Sequence, residues 1–246
     1  MSLAKAVVVG VGAEDGLGAA LSRCYAANGR HVLVAGRTFE KVEKVAAAIR
    51  RDGGRATAHG VDATREEDVI RLFDAAMTDD EDGGPADLVT HNVGVNRKFD
   101  FRQTEVSTFE EFWRLNTLSG FLVGREAARR FAPLGRGSVF FTGASGSLRG
   151  MPGFAHFAAS KAGLRMISQS MAREFGPQGL HVAHVVVDGA VDGERVKSLF
   201  PGVVDQLGEN GTLNTTAIAE TFWHLHLQHP SAWTQELDVR PFKEKF

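Results

Sequence analysis

Two runs in this sequence of 246 residues carry residue types at spacings that could do chemistry. The first is Gly10-Val-Gly12-Ala-Glu-Asp-Gly16-Leu17-Gly18, between the apolar run 6–9 and the stretch 19–27. A strand, a glycine turn and a helix leave unpaired backbone N–H groups at a helix N-terminus, where the donors and the end dipole both favour an anion. Glycine is needed where the backbone must pass close to a pyrophosphate. The spacing Gly12-x-x-x-Gly16-x-Gly18 is not G-x-G-x-x-G, because Asp15 stands three residues after Gly12. It is not a P-loop either, because no Gly-Lys-Ser/Thr follows. The second run spans 141–163 and holds Ala144, Ser145, Ser147, His156, Phe157 and Lys161. On a helix Phe157 and Lys161 share a face, while His156 points about 100° away from Phe157.

These residues need elements to position them. Short β-branched or apolar runs at 6–9, 31–36, 55–61, 87–91, 138–141, 180–187 and 233–239 read as strands. Helical patterns fall at 19–27, 41–50, 65–77, 109–131, 157–174 and 216–229, with an acidic surface loop at 79–85. Alternating strands and helices imply an α/β fold: one doubly wound, Rossmann-type parallel sheet with helices on both faces, a three-layer sandwich. No repeat or linker interrupts the pattern, so residues 1–246 are expected to form one domain. In such sheets the ligand lies at the carboxyl ends of the strands, where strand order reverses.

Composition sets bounds. Apolar residues make up 43% and charged residues 24%, which suffices for a full core and a soluble surface. The formal net charge of −2 gives no case for nucleic acid or an anionic membrane. The single cysteine, Cys24, excludes an internal disulfide and fits a reducing cytosol. No run reaches membrane-span length, and the N-terminal apolar run is too short for a signal peptide, so a cytoplasmic protein is expected. The Arg125, Arg129 and Arg130 cluster has helical spacing and reads as a solvated face.

The residues just after each strand are therefore the ones to read. Gly36 stands where an acid would hold a ribose 2′-OH, and Arg37 and Thr38 follow it. A guanidinium can grip a 2′-phosphate in a forked arrangement, which favours NADP over NAD. Asp62 and Ala63 follow the third strand, and Thr64 with Glu67 has capping-box spacing. His91-Asn92-Val93-Gly94 follows the fourth strand; its glycine permits close approach, and its histidine is a candidate proton donor near neutral pH. Asn116 is a polar amide among large apolar neighbours, Trp113 and Leu115 included.

The glycine turn, Asn116 and the run from Phe141 to Lys161 together resemble the short-chain dehydrogenase/reductase family over nearly the whole chain. The resemblance implies cofactor contacts from Gly12, Gly16, Leu17 and Gly18, from Arg37 and Thr38, and from Asp62 and Ala63. It implies further contacts from Asn92, Val93, Gly94, Lys161, Gly189 and Val191, and no metal. It implies that Asn116 holds a water in a proton relay and that Lys161 binds the nicotinamide ribose. It also implies a homodimer or homotetramer formed through the helices at 109–131 and 157–174.

The departures from the family are specific. Val11 replaces a threonine, and His91 and Val93 break the Asn-Asn-Ala-Gly pattern. Asp188 replaces a proline, and Gly193 stands at a threonine position. At the catalytic positions Phe157 replaces the proton-donating tyrosine and Ala144 the carbonyl-polarising serine. Neither side chain can hydrogen-bond. Two readings stay open. One is an NADP(H)-dependent oxidoreductase on a small carbonyl or alcohol, its proton coming from Ser145, His91 or water. The other is a non-catalytic NADP(H)-binding module, a sensor or an assembly subunit. Residues 200–213 are expected to form a mobile lid, and Phe154, Phe157 and the lid an apolar pocket.

Overall fold

The computed structural model describes residues 4–199 and 201–244. Seven strands run β1 (Ala4–Val9), β2 (His31–Gly36), β3 (Arg55–Gly60), β4 (Gly84–His91), β5 (Gly137–Ala144), β6 (Leu180–Val187) and β7 (Glu236–Val239). They pair in the order β3-β2-β1-β4-β5-β6-β7, all parallel. The chain walks outward through β2 and β3, returns to place β4 beside β1, and walks outward again. Strand order therefore reverses between β1 and β4, which opens a crevice at their carboxyl ends.

Valine-rich strands such as β1 and β6 are buried along almost their whole length, as a sheet covered on both faces requires. One core lies between the sheet and the helices α1 (Leu17–Ala27), α2 (Phe39–Arg51) and α9 (Thr215–His226), with Leu21, Tyr25, Val45 and Phe222 at its centre. The opposite core packs the sheet against α3 (Glu66–Met77), α5 (Ser119–Phe131) and α6 (Ala155–Phe175) through Phe73, Val123, Phe131 and Leu164. The three layers match the sequence reading. Cys24 lies partly buried against the first core, as a packing residue.

Several local expectations are corrected. The expected single helix at 109–131 begins earlier, as α4 (Val106–Trp113), and passes through a π turn at Arg114–Leu118 before α5. The capping box does not form, because the Thr64 hydroxyl donates to Asp62 and Arg65 is the N-cap residue of α3, with no side-chain cap. The acidic loop ends sooner, since Gly84 and Pro85 already belong to β4, and Asp80 is tied to buried Lys5 at 2.7 Å. The arginine cluster is not simply solvated: Arg129 and Arg130 converge on the buried carboxylate of Glu126, and Arg125 reaches Glu66. Of the expected lid, Phe200 lies outside the described residues. What precedes and follows it forms two short helices, α7 (Glu194–Leu199) and α8 (Val203–Leu207). The far end of the segment is anchored, with Leu213 buried and bridged to Val191. No helix among the described residues is long and apolar enough to cross a membrane.

Candidate active site

The glycine turn is locked from below and open above. Gly10 adopts φ +97°, and a Cβ there would meet the Asn92 backbone at 2.6 Å. A Cβ on Gly36 would lie 2.2 Å from the Val11 carbonyl oxygen, which explains why no acid stands at that position. A Cβ on Gly18 would meet Gly10 and Val11 backbone at 3.0 Å. Gly12 is different: a Cβ there would find nothing within 4 Å. The bare face of Gly12 borders the start of α1, whose N-cap is Gly16 with no side-chain acceptor and no acid in the first turn. N–H groups of a helix N-terminus beside this bare glycine face fit a pyrophosphate.

Arg37 and Thr38 are exposed at the start of α2, and the Arg37 guanidinium has no partner among the described residues. Asp62 closes a tight turn, its Oδ1 accepting from the Thr64 amide at 2.9 Å and hydroxyl at 2.8 Å. Asn92 caps the crevice, its amide group donating to the Gly10 carbonyl at 3.3 Å. Leu17 packs into the first core, and Ala63 and Val93 pack against the second.

Across the crevice, Lys161 is 4% exposed, and its Nζ donates to the carbonyl oxygens of Thr142 at 2.8 Å and Val93 at 3.4 Å. A Cβ on Gly94 would lie 3.2 Å from that Nζ and 3.5 Å from Asn116 Oδ1, so the three residues meet at one point. Asn116 sits inside the π turn, a distortion that often marks functional positions in helices. Its Nδ2 donates to the Phe112 carbonyl at 3.0 Å, while its Oδ1 is buried with no hydrogen-bond partner. A buried orphan acceptor beside a lysine is the kind of atom that a water or a ligand completes. Thr117, next in the turn, donates to the Ser160 carbonyl at 2.7 Å and so fixes Asn116 relative to Lys161.

Phe157 lies on the same face of α6 as Lys161, but its ring rests on the turn after β5, 2.8 Å from where a Gly146 Cβ would be. Ala144 ends β5 half-buried. The candidate proton donors fare unevenly. His91 is fully buried, and its Nε2 meets the Ser119 hydroxyl at 2.8 Å. Burial, reinforced by the Lys161 cation, drives its pKa down to about 3, so it stays neutral and cut off from solvent and is not a proton donor near neutral pH. His156 bonds the Arg97 carbonyl at 2.8 Å and packs edge-on against Phe99 and Phe112, so it is structural. Tyr25 is buried on Thr90 in the opposite core, where burial pushes its pKa up. Ser145 is half-buried at the start of the turn after β5.

Ser147 points inward instead. Its Oγ meets His184 Nε2 at 3.2 Å, His184 Nδ1 meets Glu236 at 3.0 Å, and Arg165 grips Glu236 at 2.6 and 2.7 Å. Burial, against the pull of Glu236, lowers the His184 pKa to about 4. A Cβ on Gly143 would overlap the His184 ring at 2.3 Å. This chain of groups braces the turn that carries Ala144.

One pair was not expected from the sequence. Asp188 is 2% exposed at the end of β6, and both its oxygens lie 3.0 Å from Nη2 of Arg149. The signal was present: an acid at the end of an unbroken apolar strand needs a cationic partner. Gly189 adopts φ +147°, and Val191 bridges Leu213. Gly193 is buried where a Cβ would meet the Asp15 carbonyl at 3.2 Å, too close for a threonine without movement.

Residues 5–203 match the short chain dehydrogenase family. A 3beta-hydroxysteroid dehydrogenase 1 of Eggerthella lenta is 30% identical over 190 residues, 76% of this chain and 71% of that protein. A solved short-chain dehydrogenase from Rhodopseudomonas palustris is 36% identical, with a TM-score of 0.79 over 96% of this chain and 99% of that one. A gluconate 5-dehydrogenase from Burkholderia cenocepacia, solved in complex with NADP and tartrate, shares the fold at 20% identity and a TM-score of 0.82, over 98% and 95% of the two chains.

Proposed function

The chain belongs to the short-chain dehydrogenase family, and from that premise we propose that residues 1–246 form one NADP(H)-binding domain of oxidoreductase type. Its substrate is the C=O or CH–OH group of a small molecule, and no tyrosine supplies its proton. The observation that carries this reading is the orphaned Asn116 Oδ1, buried beside Lys161 Nζ and Gly94 at the end of the crevice that begins at Gly12. The names of the relatives support a carbonyl or alcohol substrate, and the solved relative with NADP supports the cofactor.

Backbone groups of Gly12, Gly16, Leu17 and Gly18 would hold the pyrophosphate, Arg37 and Thr38 the 2′-phosphate, and Asp62 with Ala63 the adenine side. Asn92, Val93, Gly94, Gly189 and Val191 would line the nicotinamide half. When bound, the dinucleotide supplies or accepts hydride. Lys161 keeps a cation where it favours ribose hydroxyls and a developing alkoxide. Asn116 Oδ1 accepts from a water that brings the proton in from solvent. Loss of a positioned general acid typically costs about 10²–10⁴ in rate, so turnover is slow by family standards.

The non-catalytic reading is favoured by a separate observation: the Phe157 ring fills the donor position against Gly146, while His91 and His156 are already engaged. Two measurements test the proposal and separate the readings. Fluorescence titration should give tighter binding of NADPH than of NADH; equal affinities remove the NADP assignment. Single-turnover oxidation of bound NADPH on a carbonyl panel should be detectable and should fall in Lys161→Met and Asn116→Leu. No oxidation with any carbonyl, despite tight NADPH binding, selects the non-catalytic module. We also propose that copies pair through α5 and α6, whose apolar groove carries Phe121, Met166, Ile167 and Met171. A monomer by light scattering at micromolar concentration sinks that pairing.

A further inference from the structure

Asp188 sits where the carboxyl end of β6 meets that of β5: Ala144 pairs with Val187, and Asp188 is the next residue. Its carboxylate is buried, it accepts from Arg149, and Arg240 Nη1 stands 3.7 Å away, itself paired with Asp238. A buried ion pair is weak as a source of stability, because desolvation offsets most of its attraction. Its geometry does something else. It fixes a long, flexible side chain at the edge of the candidate active site.

Arg149 begins just beyond the turn carrying Ala144 and Ser145, its backbone amide donating to the Ser145 carbonyl at 3.1 Å. The side chain is 39% exposed, so the guanidinium is held at one end by Asp188 and open at the other. Only Nη2 is engaged; Nε and Nη1 have no hydrogen-bond partner among the described residues. Shortly after Arg149 in the chain, the turn at 151–156 is pinned to the segment 97–99 by His156 on the Arg97 carbonyl and by the Phe99 amide on the Gly153 carbonyl at 3.0 Å. The Lys98 stem lies over Gly153. Arg97 and Lys98 are exposed, and neither pairs with a carboxylate among the described residues. Arg97 and Lys98 thus sit on a segment tied to the turn that follows Arg149, and the carboxylate that Arg149 meets, Asp188, is buried and already used.

We propose that Arg149, set by Asp188, holds the carboxylate of an anionic substrate at the mouth of this site. The inference rests on the oxidoreductase reading and names its substrate class. A guanidinium with free N–H groups suits a planar carboxylate, which it can grip through two hydrogen bonds. Asp188 keeps the fork oriented when the site is empty, so that less side-chain freedom is lost on binding.

The test is isothermal titration at low salt with two matched pairs of probes: D-gluconate against sorbitol, and benzoate against benzyl alcohol. At least one carboxylate should bind tenfold or more tightly than its neutral partner. Arg149→Met should remove that preference. Because Arg149→Met leaves Asp188 without its partner, the double variant Arg149→Met with Asp188→Asn, which leaves no lone charge, is measured beside it and should lose the preference equally. Arg149→Lys should retain part of it. The proposal is overturned if neither carboxylate is preferred in the parent, if the preference survives in the double variant, or if inorganic phosphate binds more tightly than either carboxylate. A separate NADPH titration on the same proteins reads the cofactor assignment, so failure of that reading is distinguishable from failure of this one.

Discussion

The two sides of the crevice are built from similar valine-rich strands, yet they differ in what their residues leave room for. On the β1–β2 side, Gly10, Gly18 and Gly36 are locked by backbone contacts at 2.2–3.0 Å, and only Gly12 faces open space. On the β5–β6 side, side chains line the crevice. Lys161 and Asn116 meet at Gly94, Phe157 and Ala144 have no side-chain group that can hydrogen-bond, and Asp188 holds Arg149. A nucleotide is gripped mainly by backbone, which tolerates side-chain change at few points. Proton transfer depends on particular side-chain atoms, and a single substitution removes it.

That contrast can be pressed experimentally, starting with acid. His91 at the end of β4, His184 within β6 and His226 on α9 have pKa values pushed by burial to about 3, 4 and 4. Folded, they stay neutral down to those values; unfolded, they take up a proton near pH 6.5. Stability is therefore full above about pH 6.5 and falls as pH drops towards 4, at about 1.4 kcal/mol per pH unit for each histidine, on the order of 4 kcal/mol per unit together. Urea unfolding between pH 7.5 and 5 reads the slope. A flat profile would mean that these histidines are not buried as described.

Glycines on the first side give the next two tests. Gly36→Ala drives a methyl into the Val11 carbonyl and should cost about 3 kcal/mol or more, with loss of NADPH binding. Gly12→Ala meets nothing in the protein, so stability should change by less than about 0.5 kcal/mol. NADPH affinity should nevertheless fall about tenfold, roughly 1.4 kcal/mol, if the bare face is the pyrophosphate cradle. Equal effects of the two substitutions would erase the distinction between a packing glycine and a binding one. Arg37→Asp should act on cofactor choice alone, reversing the NADPH preference without moving the melting temperature.

The strand positions were readable because parallel strands buried on both faces give unbroken apolar runs, as at 31–36 and 180–187, which match β2 and β6 end to end. The glycine turn was readable from local spacing, and Lys161 from the resemblance of the run 141–163 to the family. The π turn was not, since nothing in Arg114–Leu118 distinguishes it from α-helix until Thr117 bonds to Ser160 on a neighbouring element. The fate of His91 was equally invisible: a histidine after a strand is a plausible donor until burial and Lys161 neutralise it. Arg149 and Asp188 lie 39 residues apart, and only the pairing of β5 with β6 brings them together.

If this chain keeps a cofactor-binding frame and has lost the groups that polarise and protonate a carbonyl, putting them back should raise turnover. Restoring them is the most direct test. In Phe157→Tyr a phenol, with an ordinary pKa of about 10, enters beside Lys161, whose charge should lower it towards working pH; Ala144→Ser adds the polarising hydroxyl. The rate of NADPH oxidation on a carbonyl panel is measured for the parent, both single variants and the double. The double variant should gain about 10²-fold or more, exceeding the product of the single effects, with a pH profile that the parent lacks. A double variant no faster than its parent while NADPH binding stays intact, or a parent already as fast, would contradict that reading.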